Sequence, residues 1–262
     1  MRRHPTARRA IRLLAATVLC AGACGSASAT QSVTLHATLT PEHLGHSTTI
    51  GFSFTIATPT HEVPPPLTSA EISYPVELAF ALSELGLATC STGTLEVFGP
   101  EGCPANSLMG YGTALAEIPI GPSIAHESAQ VTIMRATNQG GHLALLIDVN
   151  AASPVSEQIT FPGLVLPAPA PYGGLLDMSI PLVTGLPGGS DVAVVRFRST
   201  LGPLHLHYHE HVHGRIIEYE PKGVPLPDKC PHGGFRFLAR FAFQNGSHSH
   251  AAATVSCPSS RH

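Results

Sequence analysis

The sequence has few charged residues, no long apolar run and none of the common catalytic motifs. Only 12% of its 262 residues are Asp, Glu, Lys or Arg, and no segment reaches the roughly 20 apolar residues that a transmembrane helix needs. It contains no G-x-S-x-G nucleophile elbow, no phosphate-binding glycine loop and no dinucleotide-binding fingerprint. Acids such as Asp148, Asp177 and Asp191 are present, but separate carboxylates are no specific signal of catalysis. We therefore expect no transmembrane segment and no enzymatic activity.

The first 29 residues have the pattern of a secretory signal peptide. Five arginines precede an apolar stretch from Leu13 to Ala23, and Ala27-Ser28-Ala29 forms a small-residue cleavage site. We expect cleavage after Ala29 and a secreted or cell-envelope location. The pair Arg8-Arg9 leaves twin-arginine export open beside the general route. Cys24 leaves a lipoprotein anchor open, although the Leu that usually stands three residues before such a cysteine is missing.

Without this leader the chain is acidic. Nine Lys and Arg then stand against 17 Asp and Glu, a formal charge of −8 with neutral histidines. Because an acidic surface repels phosphates, we expect neither nucleic acid nor an anionic membrane as a partner. Fifteen of the 16 histidines lie after the leader, and near pH 5 their protonation offsets the negative charge. The sequence does not identify the extracellular or envelope ligand or the oligomeric state.

The composition after the leader favours strands over helices. The chain has 24 Pro and 25 Gly, which suit short strands joined by frequent turns, and its 43% of hydrophobic residues can fill a core. Apolar residues alternate with polar ones around Val33–Leu39 and Ile50–Ile56, the pattern of half-buried strands. We expect residues 30–262 to form an antiparallel β-sandwich of the Ig-like class, with one short helical turn near residues 91–98. A split into two smaller β subdomains stays open.

The clearest local pattern is a hairpin near the C-terminus. Phe235, Phe237, Ala239, Phe241 and Phe243 fall on one face of a strand. The following Asn-Gly pair at 245–246 predicts a type I′ turn, and a second strand runs on towards residue 257.

Four cysteines remain after the leader: Cys90, Cys103, Cys230 and Cys257. An even number in an oxidising compartment predicts disulfides, and three pairings are open. We favour Cys90–Cys103 and Cys230–Cys257 because each closes a local loop, and the second joins the ends of the predicted hairpin. A four-cysteine metal site is the alternative, but no two of these cysteines show the C-x2-4-C spacing of such sites.

Several short motifs, each present once, lie along the chain. They are Leu85-Gly86-Leu87-Ala88-Thr89-Cys90, Phe98-Gly99-Pro100, Cys103-Pro104-Ala105-Asn106-Ser107 and Pro227-Asp228-Lys229-Cys230-Pro231. This set resembles a pattern found in secreted β proteins of high-GC actinobacteria, and the resemblance covers most of the chain after the leader. It implies an exported Ig-like or related sandwich with paired cysteines, and it implies no activity.

Histidines alternate with other residues between positions 204 and 214. On a strand, all five of them share one face: His205, His207, His209, His211 and His213. Neighbours on that face are about 6.7 Å apart, so one strand supplies at most two ligands to a metal ion. His248 and His250, on the second strand of the C-terminal hairpin, complete a Zn, Cu or Ni site if that strand is a neighbour. We favour a solvated histidine surface that binds metal only adventitiously; the specific metal site and a surface that responds to pH are the alternatives.

Residues 209–213 also match the H-E-x-x-H motif of zinc proteases. That motif requires a helix, whereas strict alternation favours a strand and Gly214 follows at once. We interpret the match as fortuitous and keep a zinc metallohydrolase as the lesser alternative. The leading hypothesis is an exported non-enzymatic protein with a binding or structural role, and the alternative is a metal-binding protein that uses the histidines.

Overall fold

The computed structural model describes residues 31–60, 62–78, 80, 83–153, 156–185 and 187–257. The expected signal peptide, with its twin-arginine pair and Cys24, lies outside the described residues. Among the residues described, no helix is long and apolar enough to cross a membrane.

Fourteen strands and one α-helix make up the described chain. The strands are β1 (Ser32–Thr40), β2 (Ser47–Ala57), β3 (Leu67–Pro75), β4 (Leu108–Ile120), β5 (Ser123–Gln139), β6 (His142–Ala151), β7 (Glu157–Pro167), β8 (Tyr172–Ser179), β9 (Ala193–Leu201), β10 (Tyr208–Val212), β11 (Arg215–Tyr219), β12 (Val224–Pro225), β13 (Phe235–Phe243) and β14 (His248–Val255). The helix α1 spans Thr92–Phe98, and two 3-10 turns, Pro100–Gly102 and Ala105–Ser107, follow it.

Eleven strands form one continuous antiparallel sheet in the order β1-β2-β9-β4-β5-β6-β7-β8-β3-β13-β14, with β12 paired to β2. Its two edges meet, because the Ser249 hydroxyl on β14 donates to the Gln31 carbonyl beside β1 at 2.9 Å. The sheet is therefore nearly closed and barrel-like. The antiparallel all-β class is confirmed, but the expected division into two packed sheets is not what the strand order shows. The separate hairpin β10-β11 forms a two-stranded sheet of its own.

The two ends of the barrel-like sheet differ. We call the end at which β5 stops and β6 begins the disulfide end, because both disulfides lie there together with the long connections 76–107 and 202–234. We call the opposite end, where residues 121–122 join β4 to β5, the turn end. At the disulfide end, Leu206, Tyr208 and Val224 are fully buried in the main core. These side chains seal that end.

The predicted disulfides are confirmed. Cys90 pairs with Cys103 and Cys230 with Cys257, with Cα atoms 5.3 Å and 5.9 Å apart. The first loop carries α1, the predicted helical turn, whose Ser91 side chain accepts a hydrogen bond from the Thr94 backbone N–H as an N-cap.

Strand β6 is buried on both faces because α1 covers part of the sheet's outer side. Leu145 and Ile147 belong to the main core inside the sheet. Their neighbours Ala144 and Leu146 pack outwards in a second cluster with Leu95 of α1. The continuous apolar run in this strand therefore serves two separate cores.

The C-terminal hairpin is confirmed, with a different turn. All five predicted core residues of β13 are buried, and β13 pairs with β14. Gly246 has a positive φ of 78°, whereas the described non-glycine residues with positive φ are His205 and His213 alone. Asn245 is therefore not in the conformation that a type I′ turn needs, and residues 244–247 form a longer connection that the Phe243 N–H closes onto the Ser247 carbonyl at 3.0 Å.

Candidate functional site

The histidine segment is a strand, but a short one. Residues 208–212 form β10, which pairs with β11, so the H-E-x-x-H residues lie in a strand and a turn. His209 lies in β10 and His213 in the turn that follows it, whereas a zinc protease needs both on one helical face. The geometry of such an enzyme is absent from this described segment.

The expected row of five histidines on one face is wrong. His205 and His213 adopt positive φ values of 62° and 50°, which breaks the alternation at both ends. His209 and His211 share a face within β10, and His207 lies just before the strand, where its Nδ1 contacts Glu218 Oε1 at 2.8 Å. Leu206 and Tyr208, which alternate with these histidines, are both fully buried.

The two further histidines are not neighbours of this hairpin. His248 and His250 lie on β14, which pairs with β13, whereas β10 pairs with β11 in a separate sheet. In the part of the chain that the structure describes, no group of three or more His, Cys, Asp or Glu side chains is placed to hold a metal ion. The described structure therefore does not bring the predicted ligands together, and metal binding by these histidines stays a prediction.

A different site lies inside the barrel-like sheet. Inward-facing residues of β2–β9 and β13 surround an apolar cavity of about 170 Å³. Six phenylalanines line it: Phe52, Phe54, Phe80, Phe161, Phe197 and Phe237. The rest of the wall is almost entirely aliphatic, including Ile147, Leu176 and Met178.

The cavity follows from the number of strands. The diameter of a closed sheet grows with its strand number, and about eight strands already give an interior that side chains can just fill. This sheet has eleven strands around its path, and small residues such as Ala70 and Ala114 occupy inward positions. Its side chains therefore leave space at the centre.

The aromatic side chains give part of the wall a fixed shape. The rings of Phe54 and Phe197 stack with centroids 5.3 Å apart and planes 17° from parallel. The ring centroids of Phe54 and Phe241 are 4.8 Å apart. The ring centroids of Tyr74 and Phe80 are 5.9 Å apart. Such contacts restrain the rings and present flat apolar surfaces to the space between them.

The chemistry of the wall is neutral. Tyr74 and Ser199 are the polar residues among those that line the cavity, and no charged side chain is among them. Burial raises the pKa of the Tyr74 phenol above its usual value of 10.0, because loss of solvent disfavours the phenolate. At neutral pH the wall therefore carries no charge and favours an uncharged apolar guest.

The alternating pattern of any single strand does not reveal this cavity. Each inward residue was visible as one half of an alternating pattern, but the size of the interior depends on how many strands join one sheet. The alternating histidines, by contrast, lie exposed on the outside of the fold.

Comparison with models of known protein families, with curated proteins and with solved structures finds no match to this chain.

Proposed function

We propose that this chain is an exported, non-enzymatic binding protein that carries a small uncharged apolar molecule inside its barrel-like sheet. The observation that carries the proposal is the apolar cavity of about 170 Å³ in the centre of the main core.

The free-energy cost of an empty cavity supports a role for it. Cavities in protein cores cost about 24 cal/mol per Å³, so one of about 170 Å³ costs about 4 kcal/mol if it stays empty. That is a large part of the stability of a typical domain. A guest that contacts Phe54, Ile147 and Leu176 regains dispersion contacts that the empty wall lacks.

Size and charge define the class of ligand. An engineered cavity of roughly 150 Å³ stays dry and binds benzene, so this cavity suits a molecule with one ring or a short hydrocarbon chain. A carboxylate or ammonium group would lose its hydration without gaining a partner among the lining residues, which is costly. The ligand is therefore neutral.

Features outside the cavity support the exported part of the proposal. The two disulfides are consistent with a location outside the cytoplasm. The arginine-rich leader with its small-residue cleavage site supports secretion or an envelope location.

Metal binding by the histidine hairpin is kept as the second candidate function. The contact between His207 and Glu218 at 2.8 Å, with His209 directly opposite Glu218 in the β10-β11 register, favours it. Because the described residues place no group of three potential ligands together, any binding of Zn or Cu there would be weak.

Calorimetric titration with neutral and charged ligands of equal size tests the proposal. We expect toluene and fluorobenzene to bind saturably, one molecule per chain, and benzoate not to bind. Ala114→Leu, which adds bulk inside the cavity, should abolish this binding. Ala252→Leu, an exposed position on β14, is the matched control and should bind like the unmodified protein. Absence of saturable binding of any neutral ligand would overturn the proposal.

A further inference from the structure

Two connections cross the turn end of the barrel-like sheet. Residues 180–192 link β8 to β9, and four strands, β4 to β7, stand between these two in the sheet. Residues 58–66 link β2 to β3, which are not neighbours either. Because the strands form a nearly closed ring, such connections pass over its opening.

The longer connection is held at both sides of the opening. We call its described residues, 180–185 and 187–192, the crossing segment. Gly185 packs against Ile118 of β4 so closely that a Cβ atom at 185 would lie 2.6 Å from Ile118 Cγ2. On the other side, the Asp191 Oδ2 accepts a hydrogen bond of 2.7 Å from Gln244 Nε2, just after β13.

Asp191 joins the crossing segment to itself as well as to the rim. Its Oδ1 accepts a hydrogen bond of 3.0 Å from the Thr184 hydroxyl, and the Val192 N–H donates to the Val183 carbonyl at 2.8 Å. These hydrogen bonds brace the described part of the crossing segment internally, and the Asp191–Gln244 hydrogen bond ties it to the far rim.

The two ends resist opening to very different degrees. The disulfide end is sealed by fully buried Leu206, Tyr208 and Val224 and is tied by Cys230–Cys257. In the crossing segment, Gly185 is the one buried residue among those described. Moving Gly185 uncovers the one fully buried side chain of Ile118, whereas opening the disulfide end exposes several core side chains.

We infer that the apolar ligand enters and leaves through the turn end, and that the Asp191–Gln244 hydrogen bond is the latch of this portal. The inference rests on the proposed function and adds the route by which the ligand reaches the cavity. Opening requires the loss of one exposed hydrogen bond and the movement of Gly185 away from Ile118, while the core and both disulfides stay intact.

The exchange rate of fluorobenzene, followed by fluorine NMR, tests the latch. Gln244→Ala removes the tie and leaves the Thr184–Asp191 hydrogen bond in place. We expect association and dissociation to accelerate together by roughly three- to tenfold, as expected for loss of one exposed hydrogen bond, with unchanged affinity. Glu84→Gln, which removes the 2.7 Å ion pair to Lys222 at the disulfide end, is the matched control and should leave both rates unchanged.

A crosslink tests the route independently. The double variant Ile118→Cys and Gly185→Cys places one cysteine on each side of this contact, where a Cβ atom at 185 would lie 2.6 Å from the present Ile118 Cγ2. When oxidised it should block fluorobenzene exchange, and reduction should restore it; the unmodified protein under the same reductant controls for its native disulfides. Normal exchange in the oxidised crosslink together with unchanged rates in Gln244→Ala would overturn the portal alone. Failure of the unmodified protein to bind fluorobenzene would overturn the proposed function and the portal with it.

Discussion

The backbone N–H of Gly86 donates a hydrogen bond of 2.8 Å to the hydroxyl oxygen of Tyr208. The Tyr208 hydroxyl in turn donates to the Leu108 carbonyl at the start of β4. One buried phenol therefore joins three distant parts of the chain. It holds in place the buried side chains that seal the disulfide end.

Tyr208→Phe should lower the free energy of unfolding by about 1–3 kcal/mol. The change leaves the Gly86 N–H and the Leu108 carbonyl buried without this partner, and unsatisfied buried groups cost about that much. Denaturant unfolding measures the loss. Tyr172→Phe, at the start of β8, is the control, and equal stability of the two variants would contradict the role of Tyr208.

The folded protein should lose stability above about pH 10. Burial raises the pKa of Tyr208 and of Tyr74 above their usual value of 10.0. Above that value the unfolded chain releases phenolic protons that the native state still holds, so stability falls with rising pH. Below it both states keep these protons and the effect vanishes. Unfolding measured from pH 8 to 11 should show this decline, and Tyr208→Phe should weaken it; a decline unaffected by that substitution would assign it to other groups.

Ala114→Leu should stabilise the ligand-free protein by about 1 kcal/mol, within the range typical of cavity-filling substitutions. The added methyl groups occupy empty space in the wall to which Ala114 contributes. Thermal or denaturant unfolding without ligand measures the change, with Ala252→Leu as the surface control. A clear loss of stability at Ala114 would mean that the interior has no room to fill.

Replacing both Cys90 and Cys103 by Ala should cost about 3 kcal/mol of stability, as expected for a loop of this size, and leave the affinity for toluene unchanged. The bridge and α1 pack in a separate cluster on the outer face of the sheet. Unfolding and calorimetry on the same variant separate the two effects. Loss of toluene binding by a folded variant would show that the outer cluster shapes the cavity.

Zinc should stabilise the protein little. No group of three potential ligands is placed together in the described regions, so saturating Zn should shift the melting temperature no more in the unmodified protein than in a His207→Ala and His209→Ala variant. Near-stoichiometric Zn after purification without affinity resin, lost in that variant, would favour the metal-binding function instead.

Local features of this chain were predictable because neighbouring residues determine them. The alternation of Phe235 to Phe243 predicted β13, and the alternation around 204–213 predicted a strand, of which residues 208–212 form β10. Both disulfides followed from the even cysteine count and short loops. Each of these depends on residues close together in the sequence.

The site was not predictable in the same way, because it depends on long-range strand order. Ile147 and Leu176 line one cavity only because β6, β7 and β8 are consecutive strands of one sheet. The same alternating residues would fill a two-sheet sandwich equally well. The histidines failed as a guide for a similar reason, since the positive φ at His205 and His213 breaks a pattern that alternation alone cannot reveal.

Intermolecular NOEs between benzene and the methyl groups of the protein test the central claim most directly. With a ligand inside the barrel-like sheet, benzene protons should show NOEs to Ile147, Leu176 and Met178 of the cavity wall. NOEs confined to exposed apolar residues such as Val97 and Ile216, or none at all, would contradict the account.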